Sequence, residues 1–220
     1  REEIRKCSPS RVRDEFLRDL NEGVARPALY LMLQTGLLFS LFPDLERAYG
    51  DRNPSREKDK QLMLSLFELV DQMNRVDRAV PESVLLALFL TPVLRAVTPE
   101  HPFLGTRERD SYLAQTIRLI LYQVFTPFSL PRRVKEIAYQ ILMAQSYLRR
   151  TIQRGVIPRR MRMKKYFQEA VLLLGIEAQA KGERVPSFLR HAARSDLLPW
   201  WPKELKRRRR FRERCLFPDR

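Results

Sequence analysis

Cysteine is nearly missing from this 220-residue chain: Cys7 and Cys215 are too few and too isolated for a disulfide framework or a zinc site. A reducing, cytoplasmic setting follows. Histidine is as scarce, with His101 in a proline-rich loop and His191 beside basic residues, both read as solvated side chains. Glycine occurs only 7 times, and no Gly-rich phosphate loop, Asp-x-Asp pair, His-Glu-x-x-His or Gly-x-Ser-x-Gly is present. Catalysis by this stretch alone is therefore not expected. Long apolar runs are also absent. The longest, residues 84–90, falls far short of the ~18 needed to cross a bilayer, which excludes a membrane span. Residues 1–6 have no apolar signal core and no initiating Met, so the chain reads as cut from something longer.

What is present favours helices. Leu occurs 33 times against 13 Val and 8 Ile, and unbranched side chains lose little rotamer freedom in a helix. Ser8-Pro9 reads as a cap and a first-turn proline for a helix carrying Val12, Phe16, Leu17 and Leu20 as far as Gly23. From Arg26-Pro27 the set Leu29, Leu33, Leu37 and Phe39 predicts a second helix, punctuated by Gly36 and stopped at Phe42-Pro43. Ser55 starts a longer one with Leu62, Leu66, Leu69, Val70 and Met73 facing inward. Pro81 opens a segment that is apolar all round from Val84 to Leu90, and its expected length of about sixteen residues favours a central buried helix bent near Pro92. After a loop at 99–102, Leu113, Ile117, Ile120, Leu121 and Val124 form a stripe that ends before Pro127. A helix from Pro131 packs Val134, Ile137, Ala138, Ile141, Leu142, Gln145 and Leu148, and Gly155 with Pro158 breaks it. A last helix should run from about 158 to 180 with Phe167, Ala170, Val171, Leu174 and Ala178 inside. The fold class is all-α, an irregular array of seven or eight helices with a basic, partly disordered C-terminal tail.

Charge is distributed unevenly. Residues 1–130 hold 18 basic and 18 acidic side chains, whereas residues 131–220 hold 24 and 8, so the whole net charge of +16 lies in the last 90 residues. Of the 42 basic residues 33 are Arg, whose guanidinium pairs with phosphate oxygens bidentately and stacks on bases. A nucleic acid is the polyanion this favours. Arg159, Arg160, Arg162, Lys164 and Lys165 crowd the start of the last expected helix, where cations oppose the helix dipole by about 0.3–1 kcal/mol each. A phosphate site made by these side chains and free backbone N–H groups gives that placement a use. Tyr166, and Tyr139 and Tyr147 on the preceding helix, are candidates to stack on unpaired bases or to pack at its rim. The candidate RNA-binding residues are Arg132, Arg133, Lys135, Tyr139, Arg149, Arg150, Arg154, Arg159, Arg160, Arg162, Lys164, Lys165 and Tyr166. The run at 206–210, one Lys and four Arg, adds non-specific attraction for RNA or serves solubility alone.

Some of these residues carry a resemblance. The stretch Ser8-Pro9-Ser10-Arg11-Val12-Arg13-Asp14-Glu15 resembles the Ser-x-Glu-Arg-Ile-x-x-Glu segment of the class II nucleotidyltransferases, the family of bacterial poly(A) polymerases and CCA-adding enzymes. Residues 31–38 and Leu41-Phe42-Pro43-Asp44-Leu45 are similar to that family's next helix and its Leu-Phe-Pro stop. Leu130-Pro131-Arg132-Arg133 with the helix after it, and the basic tail, resemble the poly(A) polymerase branch. Two departures are Ser10, where the family pattern has Glu, and Gly155-Val156-Ile157-Pro158 before the basic cluster.

The resemblance implies a neck-like helical segment at 1–50, a helical body at 51–130, a basic helical RNA-binding region at 131–185 and a basic tail at 186–220. It further implies a parent enzyme that adds AMP to RNA 3′ ends with ATP and magnesium, its carboxylates lying in an N-terminal catalytic head outside this stretch. In that arrangement the partners of these residues are the RNA 3′ end and the head domain. Two other readings stand beside it: the same region of a CCA-adding tRNA nucleotidyltransferase, and a non-enzymatic helical adaptor whose basic half binds RNA or an acidic protein.

Overall fold

The computed structural model describes residues 6–50, 54–98, 106–184 and 188–189. The loop at 99–102, both histidines, Cys215 and the basic run at 206–210 lie outside them. Helix α1 (Pro9–Asn21) is followed by α2 (Ala25–Gln34), α3 (Leu37–Leu41), and a 3-10 turn (Pro43–Leu45) leading into α4 (Glu46–Tyr49). Then come α5 (Arg56–Asn74), α6 (Glu82–Val97), α7 (Thr106–Phe125), a second 3-10 turn (Thr126–Phe128), α8 (Arg132–Arg154), α9 (Arg159–Arg162) and α10 (Phe167–Ala180). No strand occurs among the described residues, and the fold is all-α as its composition requires.

The helix limits follow local chemistry. Pro9 occupies the first turn of α1, but the Ser8 side chain does not cap it; its hydroxyl lies 2.8 Å from that of Ser10 instead. Gly36 and Gly155 end α2 and α8 with φ of 67° and 73°, a left-handed conformation that costs a glycine little. One expectation is corrected. The helix foreseen from 158 to 180 is two: α9 is a single turn, Met163 to Tyr166 turn away, and only α10 is long. A continuous helix would stack Arg160 on Lys164, a like-charge pair that disfavours it, whereas the Arg159–Arg162 pair stays within the single turn of α9.

The centre is α6, in which every residue from 83 to 94 is buried, and α4, α5, α7, α8 and α10 all pack on it. Beside it Phe42, from the Phe-Pro stop, meets four other rings: Phe16 at 5.0 Å, Phe89 at 5.1 Å, Phe125 at 6.0 Å and Phe128 at 4.7 Å. Such pairs contribute about 0.5–1.5 kcal/mol each beyond the area they bury. They join the first 50 residues to α6 and to the end of α7.

A second tie could not be foreseen. Val24 precedes α2 and offers no capping side chain, so the first N–H groups of that helix need an outside acceptor. Asp71, buried on α5, supplies it: its two carboxylate oxygens accept from Ala25 N–H at 2.7 Å and Arg26 N–H at 3.0 Å. Charge-assisted bonds of this kind, facing a helix N-terminus, are about twice as strong as neutral ones. Asp71→Ala should cost about 2–3 kcal/mol in urea denaturation, and Asp71→Asn less. A loss below about 0.5 kcal/mol would show that solvent caps α2 equally well.

Candidate nucleic-acid interface

Helix α8 is the scaffold of the basic region. Its inner side buries Ala138, Ile141, Leu142, Gln145 and Leu148, and the Gln145 amide donates to the Ala170 carbonyl of α10 at 3.0 Å. Its other side is half covered because α7 lies along it. Arg118 of α7 sits 4.9 Å over the Tyr139 ring, and Lys135 of α8 sits 5.3 Å over the Tyr122 ring of α7. Tyr139 is therefore half-buried against a cation rather than fully open for stacking.

The thirteen candidate residues divide by what they touch. Arg149 pairs with Glu177, a buried carboxylate of α10 that also lies 3.3 Å from the Thr91 hydroxyl of α6. Arg150 grips Asp110 of α7 bidentately, at 3.1 and 2.9 Å. These two guanidinium groups tie helices together. Arg132, Arg133, Arg154, Arg159, Arg160, Arg162, Lys164 and Lys165 are exposed and make no ion pair among the described residues. Tyr166 is half-buried and packs against the core.

The turn expected to open a long helix at these cations is α9, a helix of one turn. Its Met161 and Arg162 N–H groups already donate to the Pro158 carbonyl, at 3.0 and 3.3 Å. What the turn does present is side chains. Buried Met161 anchors it, and the five cations between 159 and 165 project around that anchor with no acidic residue among them. Glu169, in the first turn of α10, is half-buried, and burial raises its carboxyl above the ordinary range.

Between α7, α8 and α9 lies an open cleft of about 360 Å³. It brings Arg150, Arg160, Lys164 and Tyr166 together with Tyr147, Met143 and Asp110. Two cations for phosphate that are unpaired among the described residues, Arg160 and Lys164, and aromatic rings on which a base can stack thus meet at one place, large enough for a nucleotide. Arg132 and Arg133 stand at the opposite end of α8 and do not line it. Sequence reasoning passed over Arg118 and Tyr122. Their signal was available: Tyr122 and Leu119 fall off the inward stripe of α7 and are 59% and 55% exposed. Among the described residues no three His, Cys, Asp or Glu come together as a metal site, and no helix is long and apolar enough to cross a membrane.

Residues 1–49 match the family model described as the probable RNA and SrmB-binding site of polymerase A. A search of curated proteins finds no match. The matched stretch comprises α1 to α4, the helices that Phe16, Phe42 and Asp71 join to the rest.

The division of the cations has a measurable consequence. Arg149→Ala strands a buried carboxylate and should lower stability by about 1–3 kcal/mol, whereas Arg154→Ala and Arg162→Ala should stay within about 0.5 kcal/mol of the parent in the same urea titration. Equal losses at all three positions would refute the division.

Proposed function

We propose that these residues are the RNA-holding part of a bacterial poly(A) polymerase of the class II nucleotidyltransferase family, which adds AMP to RNA 3′ ends in the cytoplasm. One observation carries the reading: a stretch matching an RNA-binding site of polymerase A is built into the same core as an uncompensated cationic surface. The resemblance in 8–15, 31–45 and 130–133 supports the bacterial branch.

In this reading the basic helices at 131–185 take the RNA backbone, and the cleft at Tyr147, Arg160 and Lys164 takes a nucleotide near the 3′ end. The described residues offer no carboxylate cluster for magnesium. In the family that residues 8–15, 31–45 and 130–133 resemble, ATP, magnesium and phosphoryl transfer belong to a catalytic head domain, and in this proposal the task of these 220 residues is to bind and orient. Arginine suits it, because its planar guanidinium engages phosphate without first having to lose a tightly held hydration shell.

Two measurements test the proposal. Charge reversal at Arg159, Arg160 and Arg162 together should weaken oligo(A) binding more than about tenfold and reduce the slope of log K against log salt by about 2, at roughly 0.7 per lost phosphate contact on a single strand. An unchanged slope would remove the site. In a primer-extension assay on the protein with its head domain, ATP should be incorporated on a generic RNA. CTP incorporation ahead of ATP on tRNA would assign the CCA-adding activity instead.

A further inference from the structure

The pairings between α7 and α8 run in opposite directions along the two helices. Tyr122 meets Lys135, Arg118 meets Tyr139, and Asp110 meets Arg150, so the helices are antiparallel and share a seam. On the α8 side, Lys135, Tyr139, Met143 and Tyr147 recur at every fourth residue, which places them in one row. Met143 and Tyr147 also line the cleft, so the seam opens into it.

Along this row cations and rings alternate: Lys135 over Tyr122, Arg118 over Tyr139, then Met143 and Tyr147, ending at Arg150 and the cleft. Tyr122 and Tyr147 are exposed at 59% and 38%, so each ring keeps surface open to solvent. No function described so far uses Tyr122 or Arg118. Exposed phenol rings set beside cations, with sulfur between, are what a single strand requires: bases stack on rings while the neighbouring charges meet its phosphates. A duplex hides its base faces and could use only the charges.

We infer that the seam between α7 and α8 is a track for single-stranded RNA that leads the strand into the cleft, with Tyr122 as the stacking platform at its far end. The inference rests on the RNA-holding reading above and adds to it a strand type, a path and a length. From Lys135 to Arg150 the helix rises about 22 Å, the reach of about four nucleotides of extended strand.

The test uses the full chain, fluorescently labelled oligo(A) of increasing length, and a blunt RNA duplex as competitor. Tyr122→Ala should weaken oligo(A) about tenfold while Tyr122→Phe, which keeps the ring, does not. Duplex affinity should be the same for all three proteins. Lys135→Glu should weaken both ligands, and oligo(A) more. Melting temperatures of the variants verify folding, and because Tyr122 and Lys135 lie on different helices, the second variant decides should the first misfold. Affinity should climb with length until the strand fills the seam and cleft, then level off, and Tyr122→Ala should remove the last part of that climb. Equal losses for oligo(A) and duplex at Tyr122→Ala, or no loss for either, would overturn the track. If reversal of Arg159, Arg160 and Arg162 still weakens RNA when Tyr122→Ala does not, the RNA-holding reading survives and the track alone falls. If neither weakens it, both fall.

Discussion

A helix buried on every side cannot carry an unpaired charge, and any charge that a neighbouring helix brings against α6 needs a partner. From 83 to 94 its only polar side chains are Ser83 and Thr91, and the Thr91 hydroxyl lies 2.9 Å from the Ala87 carbonyl and 3.3 Å from Glu177. Glu177 is thus a carboxylate brought against α6, and desolvation without a partner would cost it several kcal/mol. Arg149 reaches it from the half-exposed edge of α8. That pair sets the rotation of α8: the next residue points about 100° away, which turns Arg150 to α7 and Asp110. Once these two are placed, Tyr139 meets Arg118 of α7, Met143 and Tyr147 line the cleft, and Arg154 is left to solvent.

Much of this was legible in the sequence because hydrophobic period reports burial directly. The all-round apolar run at 84–90 became the buried axis, and the stripes of α1, α5, α7, α8 and α10 face inward as their spacing requires. Glycines and prolines marked most boundaries for steric reasons that need no tertiary context. The failure at 158–180 has an equally physical origin. Proline and an apolar stripe both favoured one helix, but they act over a few residues at a time, and the repulsion among five cations acts between them. Met161 can bury itself from an isolated turn, so continuity gained nothing.

The site was less legible than the fold. Composition counts charges and says nothing of their partners, so Arg149 and Arg150 looked the same as Arg154. The acids that take them, Glu177 and Asp110, are 28 and 40 residues away. The capping of α2 by Asp71 is hidden for the same reason, at 46 residues from Ala25. Aromatic placement left a signal that the sequence reading did not use. Tyr122 and Leu119 broke the inward period of α7, and an unburied ring on a surface helix needs either a partner or a use.

The first helix and the basic region also meet through one bond. Ser129 has φ of 49°, an uncommon left-handed conformation for a residue with a side chain, and it turns the chain from the second 3-10 segment into Pro131 and α8. Its carbonyl accepts from Arg13 of α1 at 3.0 Å, and Phe128 beside it packs on Phe42. The direction in which α8 leaves that turn is therefore fixed by α1 and by the Phe-Pro stop, both within the matched stretch at 1–49. Those residues act on the cationic surface whether or not they touch RNA: they aim it. The exposed cations then remain close together at a cost, since Arg159 and Arg162 repel within α9 by about 0.2–0.5 kcal/mol. A polyanion lying across them cancels that repulsion as well as adding attraction. The same geometry that destabilises the free protein slightly would favour a bound polyanion, and salt would weaken both effects by the same screening.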